Sequence, residues 1–383
     1  MWEILAPKDS TIFDGTCGGT FDINWTGQII ANWWSGGDIG EQVNNLLASI
    51  DLRRPRPLGR TTQVRIVGDA DLTTPINMTN LRPIGGLVVT MEGRLLCKVG
   101  TDQPAIDMVG SRGITAMNWS LYGDTTMRPG IGLLCARTPR PTAEPPDPGE
   151  TPAAPQSAGN HKFINLQLAG DWTISPLYLI DSEGNYFQNL DIRTQSSLYG
   201  FFFSGTNVDG VVSPHLPIDD GSSQTNLHID GLYLRATDVT KGGFYISGAD
   251  RIHISGQTYI RTYRAPKIVL DMSVAGITGF WCDGLHGEGR PPDAIHVIGS
   301  GKRLTDVFIR SLRLGATENA IHIDASRPGQ LPGQMAVRNA HFEFLDIKVF
   351  RCTGDIRMEQ KVDIITRGDE EAPQIILGQD FNG

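Results

Sequence analysis

The chain has 383 residues, 39% of them hydrophobic and 20% charged. That is enough apolar material for a packed core, which excludes disorder as the main state. The net charge is −9, and no basic block offsets it, so the charge argues against nucleic-acid binding and against attachment to an anionic membrane.

The first residues, MWEILAPKDST, lack the basic start and apolar run of a signal peptide. No apolar run reaches the roughly 18 residues that a membrane helix needs. Synthesis in the cytoplasm is therefore expected, with lysis as the route outside. Five cysteines stand at Cys17, Cys97, Cys135, Cys282 and Cys352. They are widely spaced and form no Cys-x-x-Cys pair, so buried thiols are expected rather than a structural zinc site.

One amphipathic helix is predicted, over residues 38–50. Val43, Leu46, Leu47 and Ile50 fall at i, i+3, i+4 and i+7 and form one apolar stripe. Asp38 can cap its start, with Glu41 three residues on as in a capping box. Short strand-like runs follow, among them QVRIVG, GLVVTMEG, FINLQLAG, NLHIDGLYLRA, RIHISGQTYIR and DVFIRSLRL.

These runs repeat. Ala-Ile-His occurs at 294–296 and again at 320–322, and LHIDGL at 227–232 resembles FWCDGL at 280–285. A unit of about 25 residues with two or three short strands fits one coil of a parallel β-helix. About ten such coils, stacked at about 4.8 Å, make a rod on the order of 50 Å. A β-propeller needs blades of about 40 residues, and no such period is present. The expected fold is an all-β, right-handed, single-stranded parallel β-helix with a short N-terminal capping α-helix. The helix lies across the open end of the stack, where core side chains would otherwise meet water. Residues 1–37 form an N-terminal segment suited to particle attachment, and 38–383 form the β-helix. Two Pro- and Gly-rich stretches, 137–160 and 204–226, are expected as long loops between coils.

The segment order carries a resemblance. An apolar-aromatic strand (Ile29, Ile30, Trp33, Trp34) precedes a Gly-rich turn with an acid (Gly36, Gly37, Asp38). A helix, the strand QVRIVG, the segment TTPINM and β-coils follow. This resembles the start of the pectate-lyase-like right-handed β-helix superfamily, in particular phage tailspikes and capsular depolymerases. The order covers residues 29 to about 95, and the coil pattern covers most of the rest. The resemblance implies a homotrimer on the virion, with other virion proteins and a bacterial surface polysaccharide as partners. Members of the superfamily are lyases, hydrolases or non-catalytic spikes, so the fold does not choose among them.

The polygalacturonase signature is incomplete: His286-Gly287 is present without a following Arg-Ile-Lys. The 26-residue offset offers another constellation. Setting His296 level with His322 places Asp293 level with Asn319, and Glu318 one position away on the neighbouring coil. Their Cα atoms are then about 6 Å apart, a spacing that suits a carboxylate pair for glycoside hydrolysis. Glu288 and Arg290 lie in the same coil, and Arg261 and Arg264 one coil earlier can bind an acidic sugar. The competing reading is solvated loop charge.

His296 and His322 alternate with core isoleucines, so they face outward and stack on each other. That serves as a structural ladder, a sugar platform or a base near neutral pH. No third ligand is evident beside them, so no metal and no cofactor are expected. Alternation across Phe201, Phe202 and Phe203 points Phe202 away from its neighbours, as an exposed aromatic for a sugar or a subunit. The 204–226 loop, with Asp209, Asp219 and Asp220, is the alternative site.

Overall fold

A computed structural model describes residues 28–34, 36–49, 61–83, 85–137, 158–204, 226–273, 275–299, 302–314, 318–325, 335–344, 349–354, 356–358, 361–366 and 374–377. Cys17, Ile50 and most of the residues expected in the two long loops lie outside these. So do Asp209, Asp219 and Asp220.

Strands form where apolar residues alternate with polar ones. In Thr62–Val67, Val64 and Ile66 are buried while Gln63 and Val67 are exposed. Each such strand buries one face, and stacking the coils makes the buried faces continuous. Among the described residues there is one 17-stranded sheet, one 11-stranded sheet and a two-stranded pair. The 17-stranded sheet is called sheet A and the 11-stranded one sheet B. Their pairings are parallel, and the chain is an all-β parallel β-helix. Each full coil gives one strand to sheet B. To sheet A it gives either one long bent strand, such as Asn185–Thr194, or two short ones, such as Ile277–Asp283 and Leu285–Glu288.

Where no long loop intervenes, level residues on most adjacent coils are 24 to 29 positions apart, as in Asn165 to Asn189 and Asp324 to Thr353. His296 stands level with His322, and Asp293 with Asn319, as the repeat predicts. The two similar hexapeptides at 227–232 and 280–285 also share a register, one coil (Ile252, His253, Ile254) lying between them.

The bend in sheet A requires left-handed backbone. Asn118, Asn165 and Asn189 occupy it on successive coils, with φ of 57°, 56° and 56°. Gly231, Gly256 and Gly284 continue the line. Asparagine tolerates this conformation better than most side chains. Its amides also satisfy one another: Asn189 donates to Asn165 at 2.9 Å, and Asn165 to Asn118 at 2.8 Å. Inside the coil, aromatic rings stack in the same way, Phe163 on Phe187 at 4.6 Å and Phe201 on Phe244 at 4.4 Å.

The first coil would expose its strand edges; the short strand Gln28–Ile30 pairs with Gln63–Arg65, and three side chains close more of the edge. The Asn32 amide accepts from the Val67 N–H at 2.8 Å and donates to its carbonyl at 2.9 Å, as a paired strand would. The Asn44 amide treats the edge strand Ile76–Asn77 alike, accepting from Asn77 N–H at 2.7 Å and donating to the Pro75 carbonyl at 2.9 Å. Between them Asp38 caps helix α1, Ile39–Ser49, accepting from the Glu41 N–H at 2.9 Å. Its other oxygen accepts from the Thr73 N–H, the Thr73 hydroxyl and the Thr74 N–H, each at 2.7 Å. The Glu41 carboxylate reaches back to the Gly37 N–H at 2.5 Å, one residue before the expected capping-box partner. Gly40 is required by close approach, since a Cβ there would lie 1.9 Å from the Thr74 carbonyl oxygen. The helix buries Ile39, Val43, Leu46 and Leu47 against the first coil, which is the expected cap.

Two expectations change. Phe202 does point away from the main core, but it is fully buried. It stacks between Tyr178 at 4.3 Å and Tyr245 at 5.7 Å, in a second apolar cluster with Tyr199, Leu134 and Val269. The 137–160 stretch, expected as a long loop, ends in a strand pair: Ala158–Gly159 pair with Ser182–Glu183.

Leu46→Asp places a carboxylate where exposure is zero and should cost about 3 kcal/mol or more. A melting temperature within a degree or two of the parent would refute the cap.

Burial alone would raise the Asp38 pKa, but the hydrogen bonds from Glu41, Thr73 and Thr74 outweigh it and hold it low. Its contribution is therefore complete above the ordinary value of about 3.9 and is lost as pH falls through the folded value. Asp38→Asn loses one acceptor oxygen and faces amide donors with a donor. It should destabilise by about 1.5–3 kcal/mol at neutral pH and flatten that acid-side loss, as read from denaturant midpoints across pH.

Candidate functional site

Parallel stacking lines up outward side chains along the rod. Along one half of sheet A runs the row Gln167, Asp191, Tyr233, Tyr259, His286, Arg313. Tyr233 stacks on Tyr259 at 4.9 Å, and Tyr259 on His286 at 5.8 Å. Glu288 is gripped from three sides. The Tyr259 hydroxyl donates to it at 2.7 Å, Arg261 Nη1 lies 3.8 Å away, and His286 Nε2 lies 3.7 Å away. The Tyr259 bond, chiefly, holds the Glu288 carboxyl below its usual range. Burial, and then that same carboxylate, push the Tyr259 phenol up to about 12.

Along the other half runs Lys162, Tyr186, His228, His253, Trp281, Phe308, His341. Tyr186 stacks on His228 at 5.1 Å, and the Nδ1 atoms of His228 and His253 meet at 3.0 Å. Trp281 and Phe308 lie in parallel planes with centroids 6.4 Å apart. They pave a groove of about 320 Å³ whose rim carries His253, Asp283 and Arg310. Asp283 and Arg310 stand level on adjacent coils. Gly279, at φ +73°, lets the indole lie back on the sheet, because a Cβ there would come within 2.7 Å of the ring.

Sheet B carries a third group. His296 and His322 stack outward at 5.0 Å. Asp293 Oδ2 lies 3.2 Å from His322 Nδ1 and 3.6 Å from His296 Nδ1, and its Oδ1 accepts from Asn319 at 2.6 Å. Burial would raise the Asp293 pKa, but the bonds with His322 and Asn319 and the charge of both histidines outweigh it and lower it. Behind them, His322 Nε2 lies 3.0 Å from the Thr353 hydroxyl, which donates to Asp324 at 3.1 Å.

The residues expected at one site thus divide. Asp293, His296 and His322 come together on sheet B. Glu318 is exposed at the entry to the next strand, its N–H donating to the Pro292 carbonyl at 3.0 Å. Glu288 and Arg261 pair on sheet A. Arg264 is exposed and pairs with Asp238 at 3.3 Å, and Arg290 is exposed on the turn after Glu288. The expectation of no third ligand beside the histidines is corrected, because one ligand atom each from Asp293, His296 and His322 lies within 4.8 Å of the others. The Trp281–Phe308 groove was not anticipated. Its signal was the likeness of LHIDGL to FWCDGL, which aligns Trp281 with His228.

No family model matches the chain, and no curated protein is significantly similar to it. A search of solved structures returns the crystal structure of a periplasmic alginate epimerase double mutant. It is 10% identical and has a TM-score of 0.20, covering 92% of this chain and 84% of that one. A superposition that loose carries no argument about this chain.

Glu288→Gln removes the carboxylate that holds the Tyr259 proton. Phenolate absorbance should then show Tyr259 ionising at lower pH than in the parent, where it resists to about 12. An unchanged titration would mean that Glu288 does not reach Tyr259 in solution.

Proposed function

We propose that this chain is a tailspike-like virion protein that holds a bacterial surface polysaccharide along the outer face of sheet A. The observation that carries this reading is the open groove floored by Trp281 and Phe308 and rimmed by Asp283 and Arg310. Flat aromatic faces pack against the C–H faces of sugar rings, and a carboxylate and a guanidinium beside them bind hydroxyls or an acidic sugar. The same row continues through His253, His228 and Tyr186, so successive sugars of a long polymer meet successive coils. The tailspike assignment rests on the resemblance of residues 29–95 and the coils. It brings with it a homotrimer and attachment to other virion proteins.

Cleavage is the second reading. Asp293 is held ionised, so in a pair with Glu318 it serves as base or nucleophile while Glu318 supplies the proton. In that case Asp293→Asn and Glu318→Gln should each lower turnover at least about a hundredfold, measured as reducing ends released from purified capsular polysaccharides. Full activity in both variants would move the chemistry elsewhere.

Binding is tested on the same glycan panel. Trp281→Ala should weaken binding of the recognised glycan at least about tenfold, about 1.4 kcal/mol, with the melting temperature nearly unchanged. Affinity equal to the parent would remove the groove from the reading. A stable monomer in sedimentation at micromolar concentration would remove the tailspike assignment and leave a free glycan-binding protein.

A further inference from the structure

The Asp293, His296 and His322 group on sheet B is built differently from the glycan face and is independent of it. The Thr353 hydroxyl gives its proton to Asp324 Oδ1 at 3.1 Å. At 3.0 Å from His322 Nε2 it therefore accepts, and the imidazole proton sits on Nε2. His322 Nδ1 is then a bare lone pair, facing Asp293 Oδ2 at 3.2 Å. Two acceptors at that distance repel unless a cation or a proton lies between them. His296, one coil earlier, also turns its Nδ1 to the same oxygen, at 3.6 Å. Its Nε2, buried without a hydrogen bond, is 3.8 Å from Asp324 Oδ2. The two rings stack at 5.0 Å, so both Nδ1 atoms face the same carboxylate oxygen from adjacent coils.

A single cation fills both gaps at once. We propose that Asp293, His296 and His322 bind one divalent transition-metal ion of the zinc class. Ligands about 2.0–2.1 Å from a tetrahedral ion stand about 3.3 Å apart. Asp293 Oδ2 already meets the two Nδ1 atoms at 3.2 and 3.6 Å. Two imidazoles favour zinc, cobalt or nickel over calcium or magnesium. The outer contacts are those of a built site: Asn319 fixes the carboxylate, and Thr353 with Asp324 fixes the tautomer of His322. The three side chains are 12% to 15% exposed, so solvent reaches the ion. Three protein ligands with a fourth position left to water is the arrangement of a reactive zinc rather than a closed structural one.

The test uses the full chain, stripped with a chelator and titrated with Zn²⁺ by calorimetry and with Co²⁺ by visible absorption. The expected result is saturation at one equivalent, with the strong visible bands of four-coordinate Co²⁺. Asp293→Ala and His322→Ala should each weaken binding at least about a hundredfold, and Thr353→Val, which keeps all three ligands, about 10- to 100-fold. His253→Ala, in the other histidine pair, should bind as the parent does. If His322→Ala fails to fold, Thr353→Val decides. No saturable binding by the folded parent would overturn the site, as would an unchanged affinity in Thr353→Val. Binding that is lost in His253→Ala would assign the ion to the other pair and equally overturn it.

Discussion

Parallel stacking gives every strand residue a neighbour at the same position one coil away, about 4.8 Å along the axis. Side chains must therefore be compatible with what stands directly above and below them. Aromatic rings meet this readily, as Phe163 on Phe187 and Tyr178 on Phe202 show. Amides meet it by donating one way and accepting the other, as in Asn118, Asn165 and Asn189. Charges do not, and the outward line Arg193, Arg235, Arg261 sets three arginines level on successive coils. Arg193 is offset by Asp191 two residues before it, at 2.9 Å, and by the Tyr233 face. Arg261 is offset by Glu288 on the next coil and by the Tyr263 ring. The exposed aromatic-and-charged band on sheet A is thus partly a solution to stacking, and it leaves a surface suited to an extended ligand.

The same rule fails at the first coil, where only the short strand Gln28–Ile30 pairs on one side. The chain replaces the missing coil with side chains that imitate backbone. Asn32 and Asn44 each present one acceptor and one donor to a strand edge, which is what a paired peptide would do. Asp38 serves the helix and the coil with its two oxygens. The apolar stripe of the helix then covers core side chains that no further coil shields. Hydrophobic cover and edge closure come from one 18-residue stretch, Asn32 to Ser49, because both problems lie at the same place.

Features that repeat in the sequence were legible. The helix stripe is four apolar residues at helical spacing, and the Ala-Ile-His repeat fixed the register of two coils to the residue. The level placement of Asp293 and Asn319 followed from that alone. What was not legible depended on registers without such a marker. Asn118 and Asn165 are 47 positions apart, with a long Pro-rich stretch between them, so nothing in the sequence aligns them. Trp281 and Phe308 meet only once Cys282 is known to lie level with Ile309. Phe202 was assigned to the correct face, but alternation says which face a residue takes and not whether that face is covered. The third member of the histidine group was missed for a simpler reason. Asp293 was weighed only as a partner of Glu318, and its side chain also reaches along the strand toward His296 and across to His322.

The two histidine pairs show how little separates a ladder from a site. His228 and His253 lie 4.8 Å apart with rings tilted by 52°, whereas His296 and His322 stack at 5.0 Å, one step apart on adjacent coils in each case. In the first pair the Nδ1 atoms meet each other at 3.0 Å. One donates and the other accepts, so the contact is satisfied within the pair. Burial, and then His253, keep His228 below its ordinary pKa, which maintains the neutral form that such a bond needs. In the second pair both Nδ1 atoms turn instead toward one carboxylate oxygen. With its proton on Nε2, His322 has none to offer the oxygen, so that contact calls for a cation or proton from outside. The fold places both pairs level on adjacent coils, and one aspartate at position 293 changes what the stacked pair can hold.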